Sequence, residues 1–323
     1  MLLRFADQLM VIKVYCREDI LPAVFYLMGN SAIADGCGSQ PAIFIIIDLD
    51  KLNSCGTENL KMWKLIVSDI DGTMVKDGAG SINPAYYEEI NRLLDRGVRF
   101  MVCSGRQGAS IVRLFQPVIS RIAYACEGGS MICDGEKFLC AKTLPGDTVH
   151  AIVQDAWKID GIDIMLSGIK QAYCKSEDSE LYHWMVDSYG FDMEAVGDLL
   201  SVDDDIMKVS LYHKSHVEEL TNPWFRPRWE SRVKLTLAGI QWLDCVPESA
   251  GKRSAVTYMQ EYYGIRPEET LVFGDNQNDM EMFEVAGRSY AVENARNEVK
   301  QAASAICEAQ EKDGVLKVLK TIL

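Results

Sequence analysis

From Trp63 onward, short runs of apolar and β-branched residues alternate with stretches of helical period. A parallel sheet flanked by helices accommodates such an order, because each return to the same sheet edge needs a crossover long enough to be helical. Strands are expected at 65–70, 98–103, 270–273 and 289–292, and helices at 84–94, 107–115, 254–263, 279–285 and 312–323. Asn83 and Pro84 supply the first of these helices with a cap and a first residue. The class is α/β.

Between 143 and 236 the texture changes. Strand patterns at 161–166 and 206–213 and a helical pattern at 177–188 lie among all four histidines, His150, His183, His213 and His216. An α+β insertion is expected here, leaving 62–142 and 237–323 as the parallel-sheet core. His213 and His216 flank a strand end without an acidic partner, so they read as surface residues and not as metal ligands. Residues 1–61 fit neither period clearly, although apolar runs occur at 20–28 and 43–47. Three readings stand for them: structure packed on the core, a disordered extension, or translated sequence upstream of a start at Met62. The third is favoured, since the chain from Met62 is self-sufficient.

Directly after the apolar run 65–67 comes Asp69-Ile70-Asp71-Gly72-Thr73. Residues two apart on a strand share a face, so Asp69 and Asp71 both point into the crevice at the strand's carboxyl end. Open α/β sheets bind ligands there. Gly72 permits a sharp turn that brings backbone N–H groups toward an anion. Two neighbouring carboxylates are costly unless they share a cation or a proton. Metal-assisted phosphoryl transfer needs that pair: one carboxylate attacks phosphorus and the other handles the leaving-group proton. Asp48-Leu49-Asp50 also follows an apolar run, but it lacks the glycine turn and reads as a solvated strand end.

Further along, Gly274-Asp275-Asn276-Gln277-Asn278-Asp279 follows the strand at 270–273. Asp275 and Asp279 could complete an oxygen-rich Mg²⁺ shell with Asp69. Asp279 would equally suit the first turn of the next helix, and the pattern alone leaves both readings open. Ser104-Gly105-Arg106 opens a helix after the strand at 98–103, where a hydroxyl and N-terminal amides make a phosphate cradle. Lys252, beside Gly251 near a helix start, is a candidate phosphate clamp, with a merely solvated lysine as the bland alternative. Arg226, Arg228, Arg232 and Lys234 form a basic cluster that could face a second anionic group on a substrate or simply solvent.

The net charge of −14 argues against nucleic acid as a partner, because backbone binding depends on clustered Lys and Arg. None of the ten cysteines sits in a CxxC pair, so they read as reduced core residues of a cytoplasmic protein. No segment approaches the roughly 18 consecutive apolar residues of a membrane span. No secretory layout opens the chain either, and no membrane partner is expected.

Taken in order, these pieces resemble the haloacid-dehalogenase superfamily. Asp69-x-Asp71-Gly72-Thr73 matches its first motif, Ser104 its second, Lys252 its third, and Gly274-Asp275 with Asn278-Asp279 its fourth. The insertion and the stretch Ala291-Val292-Glu293-Asn294-Ala295 look like the Cof-type subfamily. The resemblance covers Trp63 to Leu323 and implies a Rossmann-like parallel-sheet core with an inserted α+β cap domain at 143–236. It also implies a Mg²⁺-dependent phosphatase of small phosphate monoesters: sugar phosphates, nucleotides or phosphorylated cofactors. In that reading Asp69 forms an aspartyl-phosphate and Asp71 is the general acid and base. Phosphate binding falls to Gly72, Thr73, Ser104, Gly105, Lys252 and Asn278. Mg²⁺ is held by the Asp69 carboxylate, the Asp71 carbonyl and Asp275, with Asp279 in support. One departure stands out: Glu127-Gly128 replaces the Asn-Gly common in Cof-type members, which bears on substrate preference. A phosphomutase of the phosphomannomutase type and a non-catalytic, phosphorylation-dependent binding module are the competing readings.

Overall fold

The computed structural model describes residues 11–16, 19–24, 63–238 and 240–322. The chain divides into two compact units, Met1–Thr57 and Glu58–Leu323. In the first, β1 (Val11–Cys16) and β2 (Asp19–Val24) pair antiparallel, with Val11 opposite Val24 and Cys16 opposite Asp19. These strands escape a pattern search because Val11–Cys16 and Asp19–Val24 show little polar and apolar alternation to mark a buried face. Asp48-Leu49-Asp50 lies outside the described residues.

The second unit is built on an eight-stranded sheet. Its strands in chain order are β3 (Leu65–Ser68), β4 (Arg99–Cys103), β5 (Ala123–Cys126), β6 (Met131–Asp134) and β7 (Lys137–Ala141). After a long insertion follow β14 (Thr270–Gly274), β15 (Arg288–Val292) and β16 (Ala305–Cys307). The spatial order is β16-β15-β14-β3-β4-β5-β6-β7, parallel from β16 through β5 and closed by the antiparallel strands β6 and β7. Leu65, Ile66 and Val67 are fully buried. Each such side chain contributes roughly 1.5–3 kcal/mol, so β3 is pinned on both faces and the residues after it have a fixed origin.

Helices cover the sheet where apolar residues recur at helical spacing. In α1 (Ala85–Asp95), Tyr86, Ile90 and Leu93 are buried, and Asn83 Oδ1 accepts the Ala85 N–H at 3.1 Å. α2 (Gly108–Leu114) buries Ile111 and Leu114. The matching is close, with ends displaced by one or two residues. The helix expected from 254 begins earlier, at Lys252, because Ser254 Oγ donates to Gly251 O within the first turn and does not cap the helix.

Between β7 and β14 lies a second sheet of β8 (Asp163–Gly168), β9 (Ala172–Cys174), β10 (Met193–Ala195), β11 (Ile206–Tyr212), β12 (Lys234–Ala238) and β13 (Trp242–Val246), ordered β10-β9-β8-β11-β13-β12. It has its own core, in which Trp229, Phe225, Leu211 and Leu243 are fully buried, and Trp229 Nε1 donates to Asp155 Oδ2 at 3.1 Å. The sheet runs through Val246, beyond the end at 236 expected from texture, because alternation in a hairpin carries no record of which sheet receives it. The helical pattern at 177–188 resolves into Glu180–His183, capped by Ser179, and a wider turn over Trp184–Ser188.

Cys103, Cys126, Cys133, Cys174, Cys245 and Cys307 are buried free thiols, with Cys140 half-buried. No helix among the described residues is long and apolar enough to cross a membrane.

Candidate active site

The carboxyl ends of β3, β4 and β14 bring the expected residues to one crevice. Pairing of β3 with β14 continues one residue past the strand, as Asp69 N–H donates to Phe273 O at 3.0 Å. Asp69 is therefore placed by backbone hydrogen bonds and is only 5% exposed. The chain then turns back at Gly72, whose φ of +78° suits glycine. A Cβ there would stand 2.4 Å from Asp275 Oδ2, so the close approach of the two loops also requires glycine. Gly274 meets the same constraint from Asp279, whose Cβ would lie 2.4 Å away.

Two side-chain groups occupy the crevice. In the first, Lys252, the opening residue of α7 (Lys252–Tyr263), donates through Nζ to Asp69 Oδ1 and, at 2.6 Å, to Asp279 Oδ1. Asp279 Oδ2 accepts the N–H groups of Asp275 and Asn276, both at 2.9 Å. It thereby sits in the first turn of α8 (Gln277–Phe283) as the partner of the N-cap Asn276, while its other oxygen faces Lys252. Thr73 Oγ1 donates to Asp275 Oδ1 at 2.9 Å, so the hydroxyl holds a carboxylate.

The electrostatics of this group are unbalanced. Asp69, Asp275 and Asp279 each offer an oxygen within 4.8 Å of the others, around a single ammonium. Burial pushes the Asp69 carboxyl well above its usual range; Lys252 opposes the shift, and Asp279 and Asp275 add to it. Asp275 is pushed up to about 7, by burial first and then by Asp279. Hard oxygen donors with surplus negative charge fit a divalent cation of the Mg²⁺ type.

The second group centres on Asp71. Its carboxylate is turned to Arg106, which donates through Nε to Oδ2 and through Nη2 to Oδ1, both at 2.7 Å. Ser104 lies one residue past β4, where its Oγ accepts the Arg106 N–H at 3.1 Å. Gly105 offers its carbonyl to Lys208 Nζ of the inserted sheet at 3.2 Å. Asn278 sits half-buried in the first turn of α8. Of the expected residues, Asp69, Lys252, Asp279, Asp275 and Thr73 form one bonded network, and Asp71 belongs to another.

Sequence reasoning missed the partner of Asp71. Arg106 stands beside Ser104 at the expected phosphate cradle, yet its guanidinium meets the Asp71 carboxylate. Lys208 and Glu127 were missed as a pair: they meet at 2.7 Å, with Lys208 4% and Glu127 1% exposed. The basic cluster of the insertion is engaged in contacts of its own. Arg228 pairs with Asp155, Arg226 donates to Asn222, Arg232 lies over the Trp229 ring, and Lys234 pairs with Glu281 of the core.

The profile of the haloacid dehalogenase-like hydrolases matches residues 66–319. The chain is 25% identical over 260 residues to 5-amino-6-(5-phospho-D-ribitylamino)uracil phosphatase YbjI of Escherichia coli, covering 80% of this chain and 96% of that protein. The Bacillus subtilis phosphatase YwtE, named for the same substrate, is 25% identical over 284 residues, with 80% and 98% covered. A solved structure from Eubacterium rectale is 38% identical and superposes with a TM-score of 0.75, over 81% of this chain and all of the other.

Proposed function

The chain belongs to the haloacid dehalogenase-like hydrolases, and from that premise we propose a phosphatase that transfers the phosphoryl group of a small monoester to Asp69 and then to water. The observation that carries this reading is the buried pairing of Asp69 with Lys252 at the end of β3, inside a cluster of three carboxylates. A carboxylate and a cation held in contact at the carboxyl end of a buried strand supply the nucleophile and the clamp that phosphoryl transfer uses.

In the first half-reaction a carboxylate oxygen of Asp69 bonds to phosphorus, the bond to the ester oxygen breaks, and Asp71 protonates the departing oxygen. In the second, water attacks phosphorus, gives its proton to Asp71, and inorganic phosphate leaves Asp69. Lys252 moves from the two carboxylates to the phosphoryl oxygens, where a fixed cation in a dry site is worth most. Ser104 and the amides of the following turn, with Gly72, Thr73 and Asn278, complete the phosphate contacts. A bound Mg²⁺ held by Asp69, the Asp71 carbonyl and Asp275, with Asp279 behind them, would offset charge on the nucleophile and the phosphoryl oxygens. We assign residues 62–142 and the segment after Val246 to the catalytic core and the insertion to a cap.

The relatives named for a ribitylamino-uracil phosphate make hydroxylated phosphate monoesters the first compounds to try. Purified protein with Mg²⁺ should release phosphate from members of a monoester panel, and excess chelator should abolish the release. Failure on every ester, or turnover indifferent to chelator, contradicts the reading.

A further inference from the structure

Asp71 is asked to hold a proton at one moment and release it at another, so the environment of its two oxygens decides what it can do. The Arg106 guanidinium is 2% exposed and grips the carboxylate with its fork, one nitrogen to each oxygen. Oδ1 also accepts the Gly78 N–H at 3.1 Å. Each carboxylate oxygen offers two lone-pair sites. Among the described residues, Oδ1 has both filled, by Arg106 Nη2 and Gly78 N, and Oδ2 accepts from Arg106 Nε.

We propose that Arg106 is the positioning residue for Asp71: its fork fixes the plane of the carboxylate, so that the acid–base group meets the leaving oxygen in one orientation. This inference rests on the proposed assignment of Asp71 as acid and base. Arg106 cannot itself be the proton donor, because a guanidinium keeps its proton throughout the accessible range. Its own placement is over-determined. Nη2 also donates to Ala79 O at 2.9 Å, and its backbone N–H is held by Ser104 Oγ. On the far side the cap closes over it: the Tyr189 ring lies 5.2 Å from the guanidinium carbon, and Tyr189 Oη donates to Asp77 Oδ1 at 2.6 Å. The same cap segment is tied to α2 by paired bonds between the Gln107 side chain and the Asp192 backbone, at 2.8 and 2.7 Å. A lysine at 106 could supply the charge as a point but could not fix the rotation of the carboxylate.

The test compares Arg106→Lys, Asp71→Asn and the double variant on two esters: an activated aryl phosphate, whose leaving group needs no proton, and an alkyl phosphate, whose leaving group does. Acid–base catalysis is typically worth about 10²–10⁴-fold. Arg106→Lys should therefore lower kcat on the alkyl ester by roughly 10²-fold, while single-turnover labelling of Asp69 by the aryl ester changes only a few-fold. Because Arg106 acts through Asp71, adding Arg106→Lys to Asp71→Asn should cost little more. Equal losses on both esters in Arg106→Lys, or losses that multiply in the double variant, overturn the inference and leave the phosphatase reading intact. An unsubstituted chain that never labels Asp69 removes that reading, and the inference with it.

Discussion

Lys252 opens a core helix, and Lys208 lies on β11 of the inserted sheet; both ammonium groups are nearly sealed from solvent, at 2% and 4% exposed. Each faces two carboxylates. Burial alone would strip either lysine of its proton. In both, the neighbouring carboxylates win and hold the group above the ordinary lysine range, Asp279 and Asp69 for Lys252, Asp244 and Glu127 for Lys208. The environments then part. Around Lys252 a third carboxylate, Asp275, leaves the cluster short of positive charge. Around Lys208 one partner, Asp244, comes from the same sheet at 3.8 Å and is itself held by Ser210 at 2.6 Å, while the other, Glu127, comes from the core. The same buried device stands in two settings: a cluster with surplus carboxylates at the strand ends, and a tie between the inserted sheet and the core.

The two lysines should therefore fail differently. Lys252→Met should lower kcat/KM by about 10²–10³-fold, the scale of removing one preorganised donor to a transition state. Its melting temperature in Mg²⁺ should fall little, because a divalent cation can offset the carboxylates left behind. Lys208→Met strands Glu127 in a buried space, where breaking a pair costs about 3–5 kcal/mol. Denaturant titration should show that loss, while turnover of a small aryl phosphate per folded molecule changes only a few-fold. Asp244→Asn, at the longer contact, should destabilise less than Lys208→Met. If the two lysines exchange these signatures, the division between site and tie is wrong.

The strand-end carboxylates were legible because a local rule places them: an apolar run, then Asp-x-Asp-Gly-Thr, sets Asp69 at the carboxyl end of a buried strand. Gly274 and Asp275 follow by the same rule from β14. The Asp71–Arg106 contact was not legible. The two residues are 35 apart in sequence, and a guanidinium beside Ser104 looks the same whether it meets a phosphate or a carboxylate. Lys208 stands in Ile206–Tyr212, where alternation cannot tell a solvated lysine from one paired with a residue outside its own sheet. Glu127 adds a conformation that no pattern announces, a φ of +50° in a residue that pays for it. The start of α8 was misplaced because Asn276, not Asp279, holds the cap position, with Asp279 answering it from three residues on.

The covalent state of Asp69 tests the central claim most directly. Asp71→Asn protein, mixed with an activated aryl phosphate and Mg²⁺, should accumulate an aspartyl-phosphate, because water then lacks its base. Intact-protein mass spectrometry should show one added phosphoryl group, and borohydride reduction followed by peptide mapping should place it on Asp69. The Asp69→Asn variant should show neither the label nor turnover. Labelling at any other residue, or near-normal turnover by Asp69→Asn, would contradict the assignment of the nucleophile.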